Sequence, residues 1–228
     1  MNDINLDMLE HSFTNDMSFK SGNDKIKCFR VMDNDGNIVN NGGYEKLIDD
    51  AKLRKMYDTM VTINEADLVY NQAQRQSRIS FYMTQTGEEA TNIGVAAALP
   101  DTDLLFPQYR ESGAFLWRGF TIEQMGHQLC GNHLDFGGGR QMPVHYGSHD
   151  MNICTVSSPL CTQVPQASGA GYKYRVNNED RVAVTFFGEG AASEGDFHSA
   201  LNFAATLRCQ TMFICRNNMY AISTPIDE

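Results

Sequence analysis

The 228 residues hold 18 lysines and arginines against 28 acidic residues, a net charge of −10. That balance excludes the basic stripe a nucleic-acid backbone binder needs. Hydrophobic residues at 42% and aromatics at 10% can bury a core, while no apolar run approaches the ~18 residues of a spanning helix. Neither a nucleic acid nor a membrane is therefore expected as a partner.

Residues 1–27 are polar, with Asn, Asp and Ser interleaved, and read as a loose arm preceding one domain over 28–228. Asp3, Asp7, Glu10, Asp16 and Asp24 give this start an acidic character unlike an arginine-rich transit peptide. Cys28–Met32 and Asn37–Val39 flank Asp33-Asn34-Asp35-Gly36, a hairpin signal. The same run departs from a calcium loop, because Tyr44 stands where the twelfth-position acid belongs.

Leu47, Ile48, Ala51, Met56, Tyr57, Met60, Ile63 and Val69 recur at mostly helical spacing, predicting a long amphipathic helix over Glu45–Gln76 with room for breaks. A second helix spans Gly87–Leu99 and stops at Pro100. Leu104–Phe106 reads as a strand that delivers Gln108-Tyr109-Arg110-Glu111 at its carboxyl end. Arg110 there suits a phosphate, although a surface ion pair would explain it equally well. Thr121–Cys130 is a third helix, with Thr121 and Gln124 as a capping box and Gly131 at its exit.

Asp135–Tyr146 is a glycine-rich loop, and Asp135-Phe136-Gly137 has no His-Arg-Asp before it to make a kinase reading. His145 and His149 fall in loop sequence, so their spacing carries no helical metal motif. His127 and His133 straddle a helix end, where capping or surface roles are ordinary; His198 has either a core or a site to face. Pro159–Arg175 reads as a fourth helix whose Ala167-Ser168-Gly169-Ala170-Gly171 run permits close backbone approach. The six cysteines contain no Cys-x-x-Cys pair, which argues against a zinc ribbon or dithiol motif and for a reducing compartment.

The most informative stretch follows. A strand over Arg181–Phe187, a helix over Ser193–Leu207 and a strand over Thr211–Cys215 make a strand–helix–strand unit. Parallel strands end on one side of the sheet, where open α/β sheets bind ligands. Glu189 and Asn218 therefore meet at one edge, offering a carboxylate and an amide oxygen, donors that suit magnesium carrying phosphates. Gly190 and Ala191 leave backbone amides open to a diphosphate.

Two familiar glycine motifs fail here. Ser193 occupies the third glycine of a dinucleotide fingerprint, and Arg208 stands near where its acidic residue belongs. No Gly-Lys-Ser/Thr triplet makes a nucleotide-hydrolase loop. Glycines alone would also fit a plain turn. Asn217-Asn218 after the second strand favours the magnesium–diphosphate reading.

Gly188-Glu189-Gly190 with Asn217-Asn218 resembles the thiamine-diphosphate motif, with glutamate replacing the usual aspartate. RISFYM (78–83), GRQMPVHYG (139–147), SSPLCTQVPQA (157–167), GEGAASEGD (188–196) and CRNNMYAISTP (215–225) together resemble alpha subunits of branched-chain 2-oxo acid dehydrogenases. Pyruvate dehydrogenase alpha subunits share the architecture but lack this wording. The resemblance implies an α/β thiamine-diphosphate-binding fold with a doubly wound, mostly parallel sheet, here expected to be truncated on its C-terminal side.

It also implies magnesium on Glu189, Asn218 and the Tyr220 carbonyl, and cofactor contacts from Tyr109, Arg110, Ser158, Leu160, Gly190, Ala191 and Arg216. Ser157, Pro159, Thr162 and Gln163 match a potassium-binding loop of the family. Cys161 replaces a usual alanine and Met219 a usual glycine; the second substitution strains the loop if its φ is positive.

The implied chemistry is decarboxylation of a branched-chain 2-oxo acid with acyl transfer to a lipoyl arm on a transacylase core. The implied partner is a β subunit in an α2β2 tetramer, and the implied location is the mitochondrial matrix in a eukaryote or the cytoplasm otherwise. A family histidine near a phosphorylated loop is expected beyond Glu228, so no catalytic residue is assigned. A non-catalytic binding module and a pyruvate-specific subunit remain the alternatives.

Overall fold

Three parallel strands, β1 (Leu104–Phe106), β2 (Ala183–Gly188) and β3 (Thr211–Arg216), lie in the spatial order β1-β2-β3. Leu104 aligns with Ala183 and Ala183 with Thr211, so all three carboxyl ends finish on one side, with Gly188 opposite Arg216. The computed structural model describes residues 27–40, 42 and 48–227. Residues 1–26 of the expected arm and 45–47 of the first expected helix lie outside the described residues.

Side chains alternate along a strand, and here both faces are buried. Leu105, Val184 and Phe186 pack on one face with Ile63, Ile93, Phe115 and Met125. On the other, Phe187 meets Val164, Ala191 and Ala200, while Ala183 meets Phe106, Ala167 and Tyr174. A central parallel strand buried on both sides reads as the near-continuous apolar run seen in Ala183–Phe187. The α/β expectation therefore holds. A doubly wound sheet reverses its strand order at a switch point; among the described residues the order is sequential.

The helices that supply these faces follow the expected pattern with instructive differences. α1 (Asp50–Arg75) runs 26 residues without the allowed breaks, started by Asp49, whose carboxylate accepts from Lys52 N at 2.7 Å. α2 (Glu89–Ala98) comes next, then α3 (Ser112–Trp117), a two-turn piece too short to show a period in sequence. α4 (Ile122–Leu129) has both bonds of the Thr121–Gln124 capping box, and Gly131 leaves it at φ +62°.

α5 is Gln163–Asn177 rather than Pro159–Arg175. Its first four expected residues form a turn instead, because Cys161 sits at φ +69° and the Thr162 hydroxyl donates to the Pro159 carbonyl at 3.1 Å. A 3-10 turn, Gly190–Ser193, precedes α6 (Gly195–Thr206), which replaces the expected Ser193 start. Two short strands after Asn218, β4 (Tyr220–Ala221) and β5 (Thr224–Pro225), pair antiparallel and were not anticipated.

Chain contacts divide the molecule into Met1–Ile48 and Asp49–Glu228. Within the first unit, Met32 and Ile38 form the expected antiparallel bridge. Asp33 closes the turn by accepting from the backbone of Asp35 and Asn37 at 2.9 and 2.8 Å. Its other oxygen accepts from the Asn37 side-chain amide at 3.0 Å, so the Asp33 carboxylate is spent within its own turn. All six cysteines are free.

The small-residue run of α5 serves two neighbours. The Ser168 hydroxyl is shared between the Val164 carbonyl of its own helix and the Ala200 carbonyl of α6, each at 3.2 Å, a side-chain link between the two helices. A Cβ on Gly171 would lie 2.6 Å from the Gln210 carbonyl oxygen and closer still to Thr211 Oγ1, whereas Gly169 faces open space. Gly171→Ala is expected to destabilise the fold by about 1–3 kcal/mol through overpacking. Gly169→Ala should instead stabilise it by about 0.5–1 kcal/mol. Denaturant unfolding of both variants decides the point, and equal effects would refute the assigned contact.

Candidate functional site

The carboxyl ends of the strands gather a buried polar network around Arg216, the last residue of β3. Its Nε donates to Glu111 Oε1 at 2.6 Å, and a terminal nitrogen donates to Glu88 Oε2 at 2.8 Å. Glu111 is wholly buried, and its second oxygen accepts from Gln108 N at 2.6 Å. Gln108 Oε1 accepts from Gly188 N at 3.2 Å, linking the end of β2 to the loop after β1. Burial drives the Glu111 carboxyl upward while Arg216 pulls against it; the two carboxylates push the Arg216 guanidinium up despite its burial.

Glu111 therefore pairs across the sheet with Arg216, not with Arg110 at the surface. Arg110 is half-buried, donates to the Thr84 carbonyl at 2.6 Å and lies over the Tyr109 ring with 5.6 Å to its centroid. Thr84 is held by a second network. Asp67 on α1 accepts from Tyr82 OH at 2.7 Å and Gln85 N at 2.8 Å, and burial raises its carboxyl. Asn92 then joins the Gln85 side chain to the Arg110 carbonyl, each at 2.7 Å.

Beyond β3 the chain makes two consecutive Asx turns, with Asn217 Oδ1 accepting from Met219 N at 2.9 Å and Asn218 Oδ1 from Tyr220 N at 3.1 Å. Met219 sits at φ +71°, the strained region anticipated if this position favoured glycine. Arg110, Asn218 and Tyr220 line one cleft of about 390 Å3 together with Glu88, Gly87 and Thr86. A larger cavity of about 620 Å3 opens beside Leu104 and Arg181 at the strands' amino ends, away from the edge where such sheets bind ligands.

Glu189 follows Gly188 directly, so the strand register sets it beside the Arg216–Asn218 segment. Its Oε1 is buried with no hydrogen-bond partner among the described residues. A Cβ on Gly190 would come within 2.7 Å of Ala221 Cβ, so glycine is required here by the close approach of β4. Ala191 is buried against Cys161 and Phe187. An acceptor without a donor at the strand edge fits a cation, since hard oxygens are what it requires.

The loop before α5 brings three of its four expected donors together. Ser157 and Thr162 hydroxyls lie 2.7 Å apart, and the Thr162 hydroxyl reaches the Pro159 carbonyl. Gln163 turns away, donating to the Phe186 carbonyl of β2 at 2.8 Å. Leu160 is exposed, as is Ser158. Ser158 pairs with His145 Nε2 at 2.6 Å, and His145 Nδ1 lies 3.0 Å from the Pro143 carbonyl. A carbonyl accepts only, so Nδ1 carries a proton, and in the neutral imidazole Ser158 donates to Nε2.

Buried His145 is thus a site-adjacent residue that sequence spacing missed. The remaining histidines are peripheral: His149 and His133 are exposed, His127 bonds to Asn132 at 2.9 Å at the end of α4, and His198 faces solvent rather than core or site. Glu88, Gln108 and Glu111 were also missed, because nothing local in sequence marks their shared partner.

Residues 57–228 match the family model described as the dehydrogenase E1 component. The chain belongs to the dehydrogenase E1 component family. It is 49% identical over 218 residues to 2-oxoisovalerate dehydrogenase subunit alpha 1, mitochondrial, of Arabidopsis thaliana, covering 95% of this chain and 46% of that protein. Identity is 50% over 216 residues to the mitochondrial alpha subunit of Dictyostelium discoideum, covering 95% of this chain and 49% of the relative. It reaches 52% over 203 residues with that of Homo sapiens, covering 89% and 45%. The resemblance read from the five blocks is upheld. This E1-component chain spans about half the length of the curated relatives it matches.

Removing strain at position 219 tests the loop geometry of this E1-component chain. Met219→Gly is expected to stabilise it by about 1 kcal/mol, the cost of a left-handed non-glycine residue. Thermal unfolding would show a raised midpoint; an unchanged or lowered one would contradict the strain. Glu111→Ala, which leaves buried Arg216 without its closest partner, should cost about 3–5 kcal/mol.

Proposed function

We propose that this chain supplies the alpha-subunit half of a thiamine-diphosphate site for oxidative decarboxylation of branched-chain 2-oxo acids. The observation that carries the reading is the partnerless Glu189 oxygen at the strand edge, beside a glycine whose Cβ would be excluded. Family membership supports thiamine diphosphate as the cofactor, and the names of the relatives support the branched-chain substrate.

Glu189, Asn218 and the Tyr220 carbonyl would hold magnesium. Tyr109, Arg110, Ser158, Leu160, Gly190, Ala191 and Arg216 would contact the cofactor. The clustered oxygens of Ser157, Pro159 and Thr162 would hold potassium, with Gln163 completing the set from its oxygen end while its nitrogen stays on β2. When bound, thiamine diphosphate supplies the electron sink for loss of carbon dioxide, leaving the protein to bind and orient.

The chain's residues divide that work by charge. Arg110 lines the cleft and would offer its guanidinium to phosphate oxygens, while Arg216 would act from its buried place between Glu111 and Glu88. Glu189 offers its unspent oxygen to the cation. His145 orients the Ser158 hydroxyl by accepting its proton in a hydrogen bond. A β subunit would complete the site, a lipoyl-bearing transacylase core would take the acyl group, and the mitochondrial matrix would be the compartment.

Calorimetry of the chain co-purified with a β subunit, titrated with thiamine diphosphate and magnesium, tests the cofactor reading. Saturable binding is expected, with Glu189→Ala weakening it by at least about tenfold. Turnover should favour 2-oxoisovalerate over pyruvate. Neither heat nor turnover would leave only a non-catalytic module, and a pyruvate preference would overturn the substrate assignment.

A further inference from the structure

Glu88 belongs to none of the sequence blocks, yet it joins buried Arg216 at the end of β3 to Asn218 in the cleft. Its Oε2 accepts from Arg216 at 2.8 Å, and its Oε1 accepts from Asn218 Nδ2 at 3.0 Å. The other end of the same amide, Asn218 Oδ1, accepts from Tyr220 N at 3.1 Å. One carboxylate thus ties together Arg216 and Asn218 from 128 and 130 positions earlier in the chain.

An asparagine amide is nearly symmetric in shape, and a half-turn exchanges its oxygen with its nitrogen. Only the oxygen can serve a hard cation. A carboxylate accepts and does not donate, so Glu88 admits only the NH2 end of Asn218. A backbone N–H donates and does not accept, so Tyr220 admits only the oxygen end. The two partners exclude the flipped amide from opposite sides. A carbonyl oxygen has two lone pairs, so one stays open after Tyr220 is satisfied.

We infer that Glu88 is a positioning residue that locks the Asn218 amide with its oxygen available to the divalent cation. Arg216 holds Glu88 in turn, and Glu111 holds Arg216, making a chain of charge-assisted bonds from the core to the exposed loop. This inference rests on the magnesium–diphosphate reading of the same edge.

The polarity argument yields a test that packing alone does not. Glu88→Gln keeps the volume, but its amide must choose. Turning the new oxygen to Arg216 presents an NH2 to Asn218, which favours the flipped amide. Turning it to Asn218 sets an NH2 against the guanidinium. Glu88→Gln should therefore weaken magnesium binding by about tenfold or more, as loss of a residue supporting a metal ligand does, and about as much as Glu88→Ala.

Combining Glu88→Gln with Asn218→Asp preserves the total charge. The carboxylate then at 218 presents an oxygen in either orientation, and the glutamine at 88 can donate to it while accepting from Arg216. The double variant should recover most of the lost affinity, while Asn218→Asp alone sets two carboxylates together and binds weakly. Magnesium calorimetry at saturating thiamine diphosphate, on the chain assembled with a β subunit, reads the wild type and the four variants, with circular dichroism confirming that each is folded.

Wild-type affinity in Glu88→Gln, or a double variant no better than either single one, would overturn the inference. Should Glu88→Ala fail to fold, the isosteric variant and the swap still decide. If the wild-type assembly binds neither magnesium nor thiamine diphosphate, the site reading itself falls and this inference with it.

Discussion

The buried guanidinium of Arg216 is the group on which the rest of this edge depends. A desolvated charge costs several kcal/mol unless it is paired and its hydrogen bonds are met. Arg216 meets that demand through Glu111 and Glu88, each standing immediately before a helix. Carboxylates are favourable at helix starts, where backbone N–H groups are unsatisfied. One ion cluster thereby sets the end of β3 against the entries to α2 and α3. The placement of Asn217 and Asn218 follows, because they continue directly from Arg216.

Much of this frame is legible in the sequence because it arises from local periodicity. β1 emerges from Leu104–Phe106 as read, and β2 and β3 shift by no more than two residues at either end. The capping box of α4 is a three-residue pattern and appears intact. What local pattern does not carry is the pairing of Arg216 with Glu88 and Glu111, separated by 128 and 105 residues. Three polar residues of ordinary composition meet only because a parallel sheet and two helix starts converge. His145 escaped for a related reason: its partner Ser158 lies 13 residues away across an irregular loop. The early start expected for α5 failed through one residue, since apolar spacing does not reveal that Cys161 turns left-handed.

Cys161 and Met219 share that backbone region but are held in different ways. Cys161 is wholly buried against Val164, Phe187 and Ala191, so its turn is fixed by the core. Burial also pushes its thiol up to about 11, which keeps it protonated and inert near neutral pH. Met219 is exposed, and its conformation is imposed through the backbone instead. Asn217 accepts its N–H, and its carbonyl accepts from Ile226 N at 3.1 Å, closing the β4–β5 hairpin. A strained residue persists only where its surroundings over-determine it. In one case packing does this, in the other hydrogen bonds.

Those same surroundings explain why a functional reading of this edge is stronger than a turn reading. A plain strand-to-helix turn has no reason to retain a buried, partnerless carboxylate oxygen, which costs about 1–3 kcal/mol or more when charged. It has no reason either to hold Met219 left-handed three residues after β3. Glu189 and Met219 break different local rules, one of polar satisfaction and one of backbone sterics, at adjoining strand ends. Departures from local consistency collect where a site must meet something other than the protein itself. A hard oxygen left without a donor is what a cation requires of its ligands.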